Sequence, residues 1–423
     1  MARRDSFIRL YKMPKEYRDD WENLAEEIRS SVEPDRSAYY YYGYEVIGPI
    51  ILGFSSWLQQ KALTLGLDKL FFVARDGELL QEAYKLVNGE KAIDNSYMYA
   101  SRAAVRLPYL SCNSSIESFV SLFKGAAFSN VNYIEMSHMM GLDSSTVYKY
   151  WNASGIGNDE RITIYDYMNS DSKFNKFYNK IKSVLANNAH DSRKNFFEYL
   201  REIEFTGNIG LIDIGWYGSL QKCIDSLICD EKIDAHLFGL YLGLREEIER
   251  KSNVQSYIPR GEAPAEYVSN FVEYPFMTFE GSTLGYERIG DRVIPIFAEY
   301  EYKDSEMAIN TIQDMRLGAL NFVSVFNEKN FAMNPASTYQ ALKIISKHPT
   351  FREAKLFGDL PYQETVLRKL AKPKNMLNYV RHPKNFKEDF SKCSWKPGFL
   401  KRLCIIPFPY YELISEYNRA NRR

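Results

Sequence analysis

The stretch FFVARDGELL, residues 71–80, decides the fold, because an apolar run turns abruptly into charged residues and then into a helical pattern. Residues 69–74 have the continuous apolar pattern of a buried strand, and residues 77–87 have the amphipathic pattern of a helix. Ligands of open α/β sheets bind at the carboxyl ends of the strands. The sequence therefore predicts a binding site at the residues that join the two elements: Arg75, Asp76, Gly77 and Glu78.

A second stretch, GNIGLIDIGWYGSLQ at residues 207–221, repeats this arrangement. It predicts a strand over 208–212, a glycine-rich loop over 213–218 and a helix from Ser219 onward. Backbone amides of such a loop and the start of such a helix attract anions. The expected phosphate cradle consists of Ile214, Gly215, Trp216, Tyr217, Gly218 and the Ser219 hydroxyl. Asp213, at the strand tip, would accept hydrogen bonds from sugar hydroxyls or hold Mg²⁺; the alternative is a tight turn in which Asp213 caps the helix.

Two further strands complete the predicted sheet, one at residues 96–101 and one at residues 235–244. The first ends in Ser101 and Arg102, which supply a hydroxyl and a second cation, or else an ordinary helix start with a solvated arginine. Arg75 likewise has two interpretations, a phosphate ligand or a partner of Asp76 or Glu78. Alternation of strands and helices predicts a parallel sheet with helices on both faces, so these tips should share one edge.

The chain is predicted to have three segments around this α/β core. Residues 1–37 form a helical lead-in, and residues 38–300 form the α/β domain with a helical insertion at about 110–205. A β-hairpin turning at Gly290-Asp291 forms a small hood. Residues 301–423 form a helical C-terminal region that carries a basic, aromatic tail.

Composition sets limits on the class of protein. The chain has 423 residues, with 54 Lys+Arg and 54 Asp+Glu, so its charge favours no nucleic-acid partner. Five cysteines show no zinc or disulfide spacing, and five scattered histidines show no metal-ligand spacing, which predicts structural histidines and reduced thiols. The most apolar run, residues 46–58, is too short to cross a bilayer, and no signal core follows the basic start. These observations predict a cytoplasmic location.

The tail has a charge pattern of its own. Residues 368–402 contain eleven Lys/Arg against two Asp/Glu, with Trp395 and Phe399 interleaved. Cations attract anionic lipid headgroups, and aromatic residues favour the membrane interface. The region 368–423 is therefore a candidate for peripheral contact with the inner membrane; the alternative is a helical region packed on the core with a solvated basic face.

A phosphohydrolase of the haloacid-dehalogenase type is one hypothesis for the first strand tip. Such enzymes place an Asp-x-Asp pair after a strand, with the first Asp as nucleophile and the second as general acid. Here the match would be Asp76-Gly77-Glu78, with a longer second acid and with Leu80 where a Thr or Val is usual. The motif is poor, and it gives Arg75 no role.

The set GYEVIGPIILGFSSWL, FFVARDGELL, YMYASRAAV and LIDIGWYGSLQ resembles the glycan phosphoribosyltransferases of bacterial polysaccharide gene clusters. Proteins of this family are often labelled as haloacid-dehalogenase hydrolases because many carry a phosphatase domain in the same chain. The nucleophile motif of that domain is absent here. The resemblance covers about residues 39–290 and implies a phosphoribosyltransferase-like, Rossmann-like fold.

The resemblance also implies a reaction. The donor would be phosphoribosyl pyrophosphate with Mg²⁺, and the acceptor a sugar hydroxyl of a lipid-linked glycan in surface polysaccharide (O-antigen or capsule) synthesis. Pyrophosphate would leave, and a separate companion phosphatase would remove the 5-phosphate from the transferred ribofuranose. By motif match, Asp213 would hold the ribose hydroxyls, residues 214–219 the 5-phosphate, and Arg75 to Glu78 with Ser101 and Arg102 the pyrophosphate.

The chain departs from the family pattern in the second loop, where Ile214 replaces a second acid and the loop is about one residue shorter. The ribose contacts are therefore the least defined part of the expected site. Asp76, Glu78 and Glu280 are the candidates for the base that accepts the acceptor proton. Two alternatives remain, the phosphohydrolase with Asp76 as nucleophile and a non-catalytic phosphosugar-binding protein of an assembly complex.

Overall fold

The centre of the molecule is an all-parallel sheet of five strands. A computed structural model describes residues 6–112, 114–123, 130–216, 218–244, 253–259, 272–363, 367–406 and 408–421. Its strands, in chain order, are β1 (Lys69–Val73), β2 (Asn95–Met98), β3 (Asn130–Val131), β4 (Ile162–Thr163), β5 (Gly207–Trp216), β6 (Ala235–Leu244), β7 (Val254–Ile258), β8 (Thr283–Ile289), β9 (Arg292–Phe297), β10 (Pro361–Gln363) and β11 (Leu367–Lys369).

Helices surround this sheet. Those of the described residues are α1 (Arg18–Ser31), α2 (Ala38–Tyr42), α3 (Gly48–Leu65), α4 (Gly77–Asn88), α5 (Arg102–Cys112), α6 (Ile116–Ser121), α7 (Tyr133–Met140), α8 (Ser144–Ala153), α9 (Lys173–Glu202), α10 (Ser219–Glu231), α11 (Glu306–Glu328), α12 (Pro335–Thr338), α13 (Gln340–Lys347), α14 (Phe351–Gly358), α15 (Met376–Arg381), α16 (Pro383–Lys392), α17 (Lys396–Cys404) and α18 (Tyr410–Asn421). A π-helical turn, Gly43–Ile47, joins α2 to α3.

Strand order places a switch point in the middle of the sheet. The order is β2-β1-β5-β6-β7, so the chain steps from β1 outward to β2 and then returns to build the other half on the opposite side of β1. Phe72 pairs with Tyr97 on one side and with Ile212 on the other. In open α/β sheets the crevice at such a reversal is where ligands bind. The α/β class with a Rossmann-like parallel sheet is confirmed.

Side chains of β1 alternate between two hydrophobic clusters, as the period of a strand requires. Leu70 and Phe72 join a cluster with α3, α4 and α11. Phe71 and Val73 join a cluster on the other face with α5, α9 and α10. Burial on both faces explains why β1 is apolar from Leu70 to Val73.

Gly77 begins α4 almost without a linker after β1. A Cβ at this position would lie 2.8 Å from the backbone carbon of Phe72, so only glycine lets the helix start this close to the strand. Gly77 is one of the predicted binding residues, and in the structure the packing of α4 against β1 is what requires a glycine there.

The helical insertion has a hydrophobic cluster of its own. Trp151, Phe177 and Ile181 are buried in it, and α6 to α9 contribute side chains. The hairpin of β8 and β9 turns at Gly290-Asp291 as predicted. Helical insertions, the hairpin and a helical C-terminal region are thus present.

Side chains from all three predicted segments meet in the largest cluster. Trp21 of the lead-in and Phe322 of α11 are fully buried there, together with Trp395 and Phe399 from the tail. Because these two aromatic residues are buried, the expectation that they lie at a membrane interface is wrong. Within the described residues, none of the helices is both long and apolar enough to cross a membrane.

Candidate functional site

Two carboxylates face each other at the carboxyl ends of β1 and β5. Asp76 lies three residues beyond Val73, the last residue of β1, and Asp213 lies one residue beyond Ile212, the β5 partner of Phe72. Burial raises the pKa of both groups, that of Asp213 to about 6, and the charge of Asp213 further raises that of Asp76. Two anions sharing a partly buried crevice favour the binding of a proton or a cation between them.

Asp213 belongs to the strand and not to a loop. β5 continues through Trp216, with Asp213 opposite Tyr241 and Gly215 opposite Gly243, so the predicted loop over 213–218 is wrong in its first four residues. β5 extends to Trp216 because its partner β6 is apolar as far as Leu244 and pairs with β5 over that length. Backbone N–H groups of Ile214 and Gly215 donate to the Asp213 carboxylate and lower its pKa, which orients the side chain at the sheet edge.

Gly215 is required by packing. Its φ is +94°, and a Cβ there would meet the carbonyl oxygen of Gly243 at 2.5 Å. A side chain at this position would therefore push β5 away from β6. The side chain of Trp216 and the whole of Tyr217 lie outside the described residues, so their predicted donor contacts stay predictions.

The start of α10 retains the features of an anion site. Gly218 is the N-cap residue with φ +58°, and it supplies no side chain to cap the first turn. Ser219, the first helical residue, is exposed. An α-helix leaves its first N–H groups without intrahelical partners and carries partial positive charge there. The part of the predicted phosphate cradle that the structure supports is thus Gly218 and Ser219.

Arg75 is engaged in an ion pair that the sequence did not indicate. Its guanidinium donates to both carboxylate oxygens of Glu301 at 2.7 Å and to the carbonyl oxygen of Glu280 at 3.1 Å. The peptide bond between Ala74 and Arg75 is cis. The hydrogen-bonded partner of Arg75 is thus Glu301 and not Asp76 or Glu78, while the charge of Arg75 also lowers the pKa of Asp76. The Arg75 side chain remains 18% exposed, at the edge of the crevice.

Glu78 and Ser101, both predicted to bind the donor, make structural contacts instead. Glu78 forms a salt bridge of 2.7 Å with Arg316, which ties α4 to α11. The Ser101 hydroxyl donates to the carbonyl oxygen of Thr283 at 2.5 Å and accepts from the N–H of Ala104 at 3.1 Å. Ser101 therefore caps α5 and anchors the hairpin to it.

Arg102 stays at the site as a cation. It is exposed, and its charge lowers the pKa of both Asp76 and Asp213. Arg106, four residues later on the same helix, is partly buried over the ring of Phe123, and burial and the charge of Arg102 lower its pKa to about 10. The spacing of four residues was the signal in the sequence for a second arginine on this helix face.

The structure brings further residues to the crevice. Glu273 lies close enough to Asp76 to raise its pKa, and Glu301 holds Arg75. Tyr97 donates a hydrogen bond of 2.9 Å to Glu280. Glu273 and Glu301 lie more than 190 residues after the first strand tip, so no local pattern could have assigned them to it. Glu280, equally distant, is one of the three candidate bases that the sequence offered.

The pair Asp76 and Asp213 fits Mg²⁺ that arrives with a substrate. Mg²⁺ is commonly held by one or two carboxylates and by substrate phosphates, with water completing its shell. Among the described residues there is no group of three or more acidic, histidine or cysteine side chains that would hold a metal ion by themselves. The acid pair therefore fits a cation shared with a ligand better than a resident structural metal.

Searches against protein-family profiles and against curated proteins find no match to this chain.

Proposed function

We propose that the protein is a glycan phosphoribosyltransferase, which transfers 5-phosphoribofuranosyl from phosphoribosyl pyrophosphate to a hydroxyl of a lipid-linked glycan. The main support is the acid pair Asp76 and Asp213 at the switch point, beside Arg102 and the uncapped start of α10. This crevice brings together groups that bind anions, namely Arg102 and the N–H groups at the start of α10, and two carboxylates that can bind a cation. A donor with two phosphate ends, a ribose between them and a divalent cation requires both.

Different residues of the chain bind different parts of the donor. The N–H groups at Gly218 and Ser219 bind the 5-phosphate, as helix N-termini bind anions. Asp213, fixed by two backbone N–H groups, accepts hydrogen bonds from the ribose hydroxyls. Asp76 shares Mg²⁺ with the pyrophosphate, and Arg102 lies beside the same oxygens. Mg²⁺, when bound, neutralises charge that grows on the leaving pyrophosphate.

Catalysis on this arrangement is placement and charge stabilisation. The bond from ribose C1 to the pyrophosphate oxygen breaks as the acceptor hydroxyl oxygen bonds to C1, so positive charge develops on the ribose and negative charge on the leaving group. Fixed dipoles and cations aimed at such developing charge are usually the largest contribution to catalysis. Arg75, oriented by Glu301, holds the loop that carries Asp76.

The phosphohydrolase alternative receives less support. It needs the second acid of Asp76-Gly77-Glu78 as a free general acid, and Glu78 is paired with Arg316. A non-catalytic phosphosugar-binding protein would use the same crevice without turnover. Asp76→Asn tests the phosphohydrolase alternative, because loss of its nucleophile would abolish phosphate-ester hydrolysis altogether.

A turnover assay tests the proposal. The purified protein is incubated with phosphoribosyl pyrophosphate, Mg²⁺ and lipid-linked oligosaccharides extracted from bacterial membranes. We expect a glycan whose mass increases by one phosphoribosyl group, with stoichiometric pyrophosphate release, and no product with Asp213→Asn. Asp225→Asn is the matched control, because Asp225 is a partly buried acid of α10 whose pKa burial raises to about 6 and which is assigned no contact with the donor. Donor binding without any product in extracts that contain the acceptor would favour the non-catalytic alternative.

A cytoplasmic location at the inner face of the membrane is part of the proposal, because the acceptor is lipid-linked. The exposed apolar side chains of the C-terminal region include Leu377, Val380, Ile405, Ile406 and Phe408, whereas Trp395 is buried. Lys372, Lys374 and Arg381 flank the first two and are exposed as well. Flotation with vesicles that contain 30% phosphatidylglycerol should carry the protein, and vesicles of phosphatidylcholine alone should carry less.

A further inference from the structure

A row of three aromatic rings begins one strand away from the acid pair. Tyr97 and Tyr99 stand at the end of β2, with ring centroids 5.1 Å apart. Tyr99 in turn contacts Phe297 of β9, at 5.3 Å. Both tyrosines are partly exposed and Phe297 is 41% exposed. The row thus runs along the surface from the tip of β2 to the hairpin.

Buried groups beneath the row fix its backbone. The N–H of Tyr99 donates to the Tyr199 hydroxyl at 2.8 Å, and the carbonyl oxygen of Tyr99 accepts from the Tyr286 hydroxyl at 2.7 Å. The rings of Tyr199 and Tyr286 stack at 4.6 Å. The two buried tyrosines thus hold both backbone polar groups of Tyr99. A surface that is fixed in this way before a ligand arrives lowers the entropic cost of binding.

One carboxylate points to the inner end of the row. Glu280 Oε1 accepts the hydrogen bond of the Tyr97 hydroxyl, and its backbone carbonyl accepts from Arg75. Within the described residues, Glu280 has no salt bridge, and burial raises its pKa. The other two candidate bases have different partners, since Glu78 pairs with Arg316 and Asp76 faces Asp213.

We propose that Tyr97, Tyr99 and Phe297 form the subsite for the acceptor pyranose, and that Glu280 accepts the proton of its reacting hydroxyl. This inference rests on the proposed function and assigns the acceptor half of the site. Aromatic faces suit the apolar C–H faces of a sugar ring, and a few polar groups orient the ligand, as in most small-molecule sites. The hydroxyl oxygen bonds to ribose C1, its proton passes to the Glu280 carboxylate, and pyrophosphate leaves with the electrons of the broken bond.

Tyr97 is a positioning residue in this assignment. Its hydroxyl holds the Glu280 carboxylate and lies 3.5 Å from the carbonyl oxygen of Arg75. It thereby links the acceptor subsite to the loop that carries Asp76. Loss of this hydroxyl in Tyr97→Phe should lower kcat and shift the acidic limb of the pH profile more than it changes the KM for the donor.

The test measures donor and acceptor binding separately. Saturation-transfer NMR is recorded with methyl pyranosides of glucose, galactose, mannose and N-acetylglucosamine, in the presence of Mg²⁺ and pyrophosphate. The variants are Phe297→Ala, Glu280→Gln and Phe351→Ala, the last being a control because Phe351 is also 41% exposed but starts α14. Phosphoribosyl pyrophosphate binding is measured in parallel by calorimetry.

We expect at least one pyranoside to receive saturation from the wild type and from Phe351→Ala. Its affinity for Phe297→Ala should be lower by at least about fivefold. Donor binding should be the same in all four proteins. Glu280→Gln should lower pyranoside-dependent pyrophosphate release at least about a hundredfold, the usual range for a general base. Three results would overturn the assignment. The wild type could bind the donor but give no pyranoside signal, Phe297→Ala could give the same signal as the wild type, or Glu280→Gln could release pyrophosphate at the wild-type rate. Loss of donor binding in the wild type would instead refute the proposed function.

Discussion

Replacement of Asp213 by Asn should stabilise the ligand-free protein while it removes donor binding. The pKa of Asp213 rises from an ordinary value of 3.8 to about 6 in the folded protein, because burial disfavours its charge. The folded state therefore binds more protons than the unfolded state between these two values. Stability consequently falls as the pH rises through that window, and the charged form destabilises the fold at neutral pH.

The two pKa values set the size of the effect. A difference of about two pH units corresponds to about 3 kcal/mol at pH 7, and the same linkage leaves about half of that at pH 5. Asn is neutral at both pH values, so its advantage over Asp should shrink by about half on acidification. Weaker hydrogen bonds from the Ile214 and Gly215 N–H groups to the Asn amide oxygen would reduce the gain by about 1 kcal/mol.

Urea unfolding of the wild type, Asp213→Asn and Asp225→Asn at pH 7 and pH 5 measures this effect. Both variants should be more stable at pH 7 and show a smaller advantage at pH 5, because burial raises the pKa of Asp225 to about 6 as well. Only Asp213→Asn should lose the additional stabilisation that Mg²⁺ and phosphoribosyl pyrophosphate give the wild type. A destabilised Asp213→Asn at pH 7, or an advantage independent of pH, would refute the account of the acid pair.

Further experiments test the crevice and the packing of the elements around it. Arg75→Met should destabilise the fold by about 1–3 kcal/mol in thermal unfolding, because it leaves Glu301, 17% exposed, without its cation; Arg75→Met with Glu301→Gln should recover most of that loss, and an additive double mutant would contradict the pairing. Gly318→Ala should cost about 1–3 kcal/mol, because its Cβ would lie 2.1 Å from the carbonyl oxygen of Tyr40, whereas Gly285→Ala meets no atom within 4 Å and should be near neutral. Donor affinity of the wild type should fall below pH 6, where Asp213 takes up a proton, and a flat pH profile would exclude the ionised pair from binding.

The sequence was sufficient to predict four of the five strands of the central sheet, because β1 and its neighbours combine apolar runs with abrupt polar ends. The sequence alone predicts that the strand tips carrying Asp76 and Asp213 lie together, since the carboxyl ends of parallel strands share an edge. The last strand, β7, was not predicted: its residues VQSYI are only five and include two polar side chains, and pairing with β6 stabilises them as a strand.

Contacts between distant segments were the part that sequence patterns could not supply. Glu301 lies 226 residues from Arg75, and Arg316 lies 238 residues from Glu78. For both pairs, the nearby sequence had indicated a closer partner or a bound ligand. The end of β5 was missed for a related reason, because glycines normally indicate a loop, while here Gly215 has a positive φ inside a paired strand. Tertiary pairing overrode the local signal.

Calorimetric titration with phosphoribosyl pyrophosphate and Mg²⁺ tests the central claim most directly, with Asp213→Asn and Asp225→Asn beside the wild type. We predict micromolar binding to the wild type and to Asp225→Asn, and binding at least about a hundredfold weaker to Asp213→Asn, whose stability at pH 7 shows that it is folded. Absence of binding to the folded wild type, or equal affinities for all three proteins, would contradict the assignment of the crevice between β1 and β5 as the donor site.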